Sequence, residues 1–205
     1  MNRRDVMKLI SAGIVLPNIS WASLSNMKKE KILIAYFSRT KNTFIAADLI
    51  QKNIGGALFE IETAEKYPTN YQEMVNIGQI QTENKIKPKL KNNGNIAAYD
   101  VIFIGSPIWN SRLAPPVASF IAAHNFHGKK IYPFFTNAGF GTGYAPEYIK
   151  ELLGFNYETD VSIKTDSEKN KHNLLKINQE RIKNNQATVA IKNVDELQKW
   201  IEEIK

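Results

Sequence analysis

The sequence predicts an α/β fold, a doubly wound parallel sheet of five strands with helices on both faces, and three observations predict it. Three runs, Lys31–Phe37, Asp100–Gly105 and Lys130–Thr136, are almost continuously apolar, as strands buried on both faces of a parallel sheet are. The stretches between them repeat apolar residues at helical spacing. Strand and helix alternate to the end of the chain, which implies right-handed crossovers between parallel strands.

Each element has its own signature. After Lys31–Phe37, residues Phe44, Ile45, Ala46, Leu49 and Ile50 mark a helix over Asn42–Asn53, and Gly55-Gly56 stops it. Ala57–Ile61 is the second strand, and a helix entered after Pro68 runs to Glu83. Lys85–Asn95 is polar and reads as a loop. Asp100–Gly105 is the third strand, followed by a helix over Leu113–Ala123 that tolerates Pro115 and Pro116 only in its first turn. Lys130–Thr136 is the fourth strand, and its Pro133 belongs near an edge or bend rather than mid-ladder. Ala145–Leu153 reads as a helix ended by Gly154, Asn156–Lys164 as a strand, and Val194–Ile204 as a closing helix with Leu197, Trp200, Ile201 and Ile204 on one face. The polar stretch 165–187 reads as an insertion with a helix around 174–182, after which 188–191 would complete the last strand.

Composition narrows the function. A chain of 205 residues suits one domain. Its 27 basic and 20 acidic side chains give a formal charge of +7, but the lysines are spread along the chain, as a solvated surface has them and a nucleic-acid patch does not. The absence of cysteine excludes disulfides, thiolate metal sites and a cysteine nucleophile. His124, His127 and His172 do not have zinc spacing, so no metal site is expected.

Residues 1–22 read as an export signal separate from the domain, which spans 30–205. A basic start with Arg3-Arg4 is followed by the apolar run Leu9–Leu16, too short to span a bilayer, and by Ser20 and Ala22 at the positions a signal peptidase inspects. The order Arg3-Arg4-Asp5-Val6-Met7-Lys8 resembles a twin-arginine signal, which implies a folded, periplasmic or otherwise exported protein. The competing reading is an amphipathic N-terminal helix of a cytoplasmic protein.

Three segments carry the chemistry. Ser38-Arg39-Thr40-Lys41-Asn42-Thr43 opens the first helix directly after the first strand, where unpaired N–H groups and the helix dipole favour a phosphate. Plain helix capping is the competing reading. Past the third strand lies Pro107-Ile108-Trp109-Asn110-Ser111, on the rim where open parallel sheets bind ligands. There the alternative is a tryptophan packed between loop and helix. Past the fourth strand lies Thr136-Asn137-Ala138-Gly139-Phe140-Gly141, whose glycines let backbone approach a ligand or simply form a flexible turn.

Together these segments resemble the flavodoxin family. YFSRTKNT is similar to its FMN-phosphate loop S/T-x-T-G-x-T, with Lys41 where glycine is usual. GSPIWNSRLAPP is similar to G-x-P-I-W-x-G-x-x-P-P beside the flavin ring, with Asn110 and Ser111 replacing an aromatic and a glycine. TNAGFGTG is similar to T-x-G-G-x-G-x-G, with Ala138 replacing a glycine and Phe140 offering a second aromatic surface. Tyr67-Pro68 and Tyr71 resemble a segment that covers the substrate side.

The resemblance implies a flavodoxin-like fold and FMN as cofactor, held by those seventeen residues. It implies an oxidoreductase that takes electrons from a nicotinamide nucleotide or a reductase and passes them to a small acceptor such as a quinone. A carrier docking to redox partner proteins is the alternative. The flavin carries the hard chemistry, so no acid–base residue is required. A receiver domain would need acidic residues after the first strand and a dinucleotide-binding domain would need G-x-G-x-x-G, and both are absent.

Overall fold

The structure is a computed structural model, and it describes residues 30–164 and 194–204. The chain divides at Glu30, and the sheet with its helices belongs to the unit Lys31–Lys205. The expectations for residues 1–22, for the 174–182 helix and for a strand half at 188–191 lie outside the described residues.

Five strands form a parallel sheet in the order β2-β1-β3-β5-β6: β1 Ile32–Tyr36, β2 Ala57–Glu60, β3 Val101–Trp109, β5 Lys130–Asn137 and β6 Val161–Lys164. A two-residue strand, β4 Arg112–Leu113, pairs antiparallel with the far end of β3. The strand order reverses direction between β1 and β3, and at such a switch point open α/β sheets bind ligands at the carboxyl edge.

The apolar runs divide by alternation. Leu33, Ala35 and Phe37 of the first run face one core with Ile102, Ile104, Ile131 and Phe135. Ile34 and Tyr36 face the other core with Val101, Phe103 and Phe134. The first core is covered by α3 (Pro115–Ala122) and α4 (Ala145–Leu153), the second by α1 (Asn42–Ile54) and α5 (Val194–Glu203). The helix α2 (Tyr71–Glu83) packs on α3 and β3. Leu197, Trp200 and Ile201 of α5 are buried as their shared face predicts.

Close packing sets one residue type in β3. A Cβ at Gly105 would sit 2.3 Å from the Phe134 ring and 2.9 Å from Tyr36 Cβ, so only glycine fits between these two aromatics.

Three expectations change. The third strand does not stop at Gly105: it runs to Trp109 because Ser106 and Pro107 stay in register with Phe135 and Thr136 of β5. The last strand is shorter than Asn156–Lys164 and begins at Val161. Pro133 lies mid-ladder with β3, paired with Ile104. Its missing N–H breaks no ladder bond there, because Ile131 bonds Glu158 on the far side of β5 and period two turns Pro133 to that same side, where β6 pairing starts only at Phe134.

Candidate functional site

The carboxyl ends of β1, β3 and β5 bring the three segments to one rim. The first turn of α1 is entered through Lys41, whose φ of 66° places a lysine in the left-handed region at a strain of about 1–2 kcal/mol. No side chain caps α1 conventionally; instead the Ser38 hydroxyl accepts the Phe44 N–H at 3.2 Å. Ile45 N–H donates to Lys41 C=O, while no described residue accepts from the N–H groups of Thr40, Lys41, Asn42 and Thr43. The first turn holds no acidic residue. This end of α1 is a cluster of unused donors at a positive dipole end.

Cations surround that turn. The Lys41 ammonium is 3.2 Å from Glu60 Oε1 and lies over the Phe44 ring, and the Arg39 guanidinium lies 6.0 Å from the Tyr71 ring centroid on α2. Burial, with the Glu60 and Asp48 charges adding to it, pushes the Tyr36 phenol far up, so it stays neutral beneath the turn.

The second segment is a hairpin rather than a loop. Trp109 pairs with Arg112 across Asn110 and Ser111, whose φ values of 48° and 53° are those of a type I′ turn. Ser106 Oγ accepts the Ala114 N–H at 3.1 Å and holds the base of the hairpin. Asn110 and Ser111 are exposed at its tip, and Pro107 and Ile108 are half-buried. The Trp109 ring is edge-on to Phe37 at 5.4 Å and to Tyr67 at 5.0 Å between centroids. A Cβ on Gly78 of α2 would come within 3.3 Å of it, so this ring packs between hairpin and helix.

In the third segment Asn137, itself buried, organises the loop. Its Oδ1 accepts the N–H groups of Gly139 and Gly141, and its Nδ2 donates to Ser162 Oγ on β6. Ala138 and Gly139 are exposed, Gly141 is half-buried, and Phe140 at the tip is 92% exposed.

Two contacts fasten the segments together. The hydroxyls of Thr43 and Thr136 lie 2.8 Å apart, and the Tyr144 N–H donates to Ser111 C=O at 2.9 Å. A Cβ on Gly143 would stand 2.1 Å from that carbonyl oxygen. The seventeen expected residues therefore share one rim, although Trp109 and Asn137 commit their aromatic or polar surface to the protein itself.

Sequence reasoning missed Glu60, which holds Lys41, and Arg112 and Tyr144, which meet at 5.9 Å beside the hairpin. No local spacing signals such pairs, because they form between elements. Among the described residues no group of side chains has metal-ligating geometry, and no helix is long and apolar enough to cross a membrane.

Residues 31–160 match the sequence profile of the family described as Flavodoxin. The chain belongs to the flavodoxin family. A protein of Bacteroides eggerthii, provisionally assigned as a flavoprotein, is 30% identical with a TM-score of 0.60, covering 73% of this chain and 98% of its own. A similarly assigned protein of Bacteroides uniformis is 28% identical, also with a TM-score of 0.60, covering 73% of this chain and 99% of its own. A flavoprotein of Lactobacillus acidophilus, solved in complex with FMN, is 25% identical with a TM-score of 0.59, covering 65% of this chain and 93% of its own. No curated protein matches the sequence. The fold is thus shared with chains that are only 25–30% identical to this one.

Proposed function

We propose that this flavodoxin-family chain binds FMN at the rim and works as an oxidoreductase, taking electrons from a nicotinamide nucleotide or a reductase and passing them to a small acceptor such as a quinone. The observation that carries the reading is the cluster of unused N–H groups from Thr40 to Thr43 at the switch point, bound through Thr43 and Thr136 to the end of β5. In the Lactobacillus neighbour the bound group is FMN.

The residues fit that group. Its phosphate would lie against the N–H groups of residues 40–43, with Arg39 and Lys41 supplying positive charge and no carboxylate in the first turn of α1 opposing it. The hairpin tip Asn110-Ser111 and the Ala138–Gly141 loop flank the place of the ring, and Phe140 offers it an apolar face. FMN supplies the hydride and electron chemistry when bound, and the protein binds, orients and shields it. Tyr67 lies beside Trp109 with its phenol kept neutral by burial, so it donates a hydrogen bond throughout the working pH range.

The carrier reading rests on Phe140, an exposed aromatic at the rim suited to docking a protein. Residues 1–22 are proposed to export the folded protein by the twin-arginine route, which suits a chain that gains its cofactor before leaving.

The test is an absorption spectrum and an FMN titration of the purified protein. Flavin bands and saturable uptake support the reading; a colourless protein with no uptake overturns it. Turnover of a quinone with a nicotinamide donor supports the enzyme, and reduction only by partner proteins supports the carrier. Recovery of a shortened chain from periplasmic extract supports export.

A further inference from the structure

A cleft of about 330 Å³ opens behind Tyr67, between the segment Thr63–Pro68, the side of α2 carrying Ile77 and Gln81, and the residues Pro88 and Lys89. Its frame is fixed. Thr63 bridges Leu90, Ala64 N–H donates to Lys89 C=O, and Lys91 N–H donates to Glu62 C=O, so the two segments form a short antiparallel clip. The Ser119 hydroxyl of α3 donates to Pro88 C=O at 2.8 Å and holds the far wall.

Two features set the chemistry of the cleft. Its apolar lining is made by Tyr67, Pro68, Pro88 and Ile77. Its polar side chains include an amide and two ammonium groups. The Tyr67 hydroxyl donates to Gln81 Oε1 at 2.6 Å, which turns the amide nitrogen of Gln81 into the free end of that side chain. Lys66 and Lys89 both line the cleft, with Glu65 as the single carboxylate among the lining residues.

Several lysines around this face already have partners: Lys41, Lys85 and Lys91 pair with Glu60, Glu151 and Glu62. Among the described residues no carboxylate pairs with Lys66 or Lys89. The lining thus keeps two cations against one anion around a slot with one aromatic ring, that of Tyr67. The slot also touches the rim, because the Tyr67 ring that walls it stands edge-on to Trp109, and Trp109 to Phe37.

We infer that this cleft is the acceptor site, and that it selects a planar aromatic molecule carrying an anionic substituent such as sulfonate or carboxylate; this rests on the electron-transfer reading above. The volume is that of a small-molecule pocket, which typically starts at roughly 300 Å³. The apolar lining suits a two-ring aromatic body, and the ammonium groups of Lys66 and Lys89 and the Gln81 amide suit the anion. The exchange balances with the nicotinamide donor: one hydride from the reduced nucleotide and one proton from solvent convert a quinone to its hydroquinone.

Two probes test it on the full chain: 1,4-naphthoquinone-2-sulfonate and the uncharged 2-methyl-1,4-naphthoquinone. Equilibrium dialysis against the FMN-loaded and the flavin-free protein is expected to show the sulfonate bound about three- to ten-fold tighter, the size of two exposed charge contacts. The double variant Lys66→Gln/Lys89→Gln should lose that preference while keeping its affinity for the uncharged probe and an unchanged flavin spectrum. Ile77→Trp, which fills the cleft, should weaken both probes. Equal wild-type affinities, or a preference that survives in the double variant, overturn the inference. A protein that takes up no FMN overturns the electron-transfer reading, while dialysis of the flavin-free chain still decides whether the cleft prefers anions.

Discussion

The hydroxyls of Thr43 and Thr136, 2.8 Å apart and both buried, join the first turn of α1 to the end of β5. Two hydroxyls share one hydrogen bond here, so one O–H remains free to donate. Replacing either residue by valine strands the other hydroxyl, which costs about 1–3 kcal/mol. The double variant Thr43→Val/Thr136→Val should lose less than the sum of the two. Urea unfolding of the four proteins measures the coupling, and strict additivity would show that the pair does not act as a unit.

Lys41 is held in the left-handed region at a strain of about 1–2 kcal/mol. Its exposed ion pair with Glu60 contributes at most about 1 kcal/mol. Lys41→Gly should therefore raise the stability of the flavin-free protein by roughly 0.5–1 kcal/mol, since glycine adopts this φ freely. Lys41→Ala keeps the strain and loses the pair, so its unfolding midpoint should not exceed wild type. If the glycine variant is the less stable, the strain argument is wrong.

Gly143 has no room for a side chain, because Ser111 C=O fills the place of a Cβ. Gly143→Ala must push the third loop off the hairpin and break the Tyr144–Ser111 bond. FMN affinity should fall by at least about ten-fold, as one lost loop-fixing hydrogen bond implies. Gly128→Ala is the control: it precedes β5 at the end of the strand opposite the rim and open space surrounds it, so it bears only the cost of its φ of 75°. Flavin fluorescence titrations compare the two, and equal losses would remove the role of the junction.

Ser111 occupies the second central position of the type I′ turn, where glycine is favoured. Ser111→Gly should stabilise the hairpin by about 1 kcal/mol, read as a higher thermal midpoint. A lower midpoint would mean that the serine side chain holds the turn.

The α/β class, the helix expected over Asn42–Asn53 and the placing of the three rim segments were legible in the chain alone, because they rest on local signals: buried apolar runs, helical spacing and donors directly after a strand. The flavodoxin resemblance was legible for the same reason, as its motifs are contiguous. The length of β3 was not. A strand ending at Gly105 and one continuing to Trp109 look alike until β5 offers Phe135 and Thr136 as neighbours. Pro133 misled for the same cause, since a proline's cost depends on whether a partner strand stands on its N–H side.

What the sequence by itself determined is therefore the succession of elements and the identity of the residues brought to the sheet's carboxyl edge. Tertiary structure alone decided which of them are committed to the protein. Trp109 packs against Phe37, Tyr67 and Gly78, Asn137 binds its own loop, and Lys41 answers to Glu60 on β2. Periodicity and turn chemistry act over a few residues, whereas these contacts join atoms far apart in the chain, and only the folded sheet brings them within bonding distance.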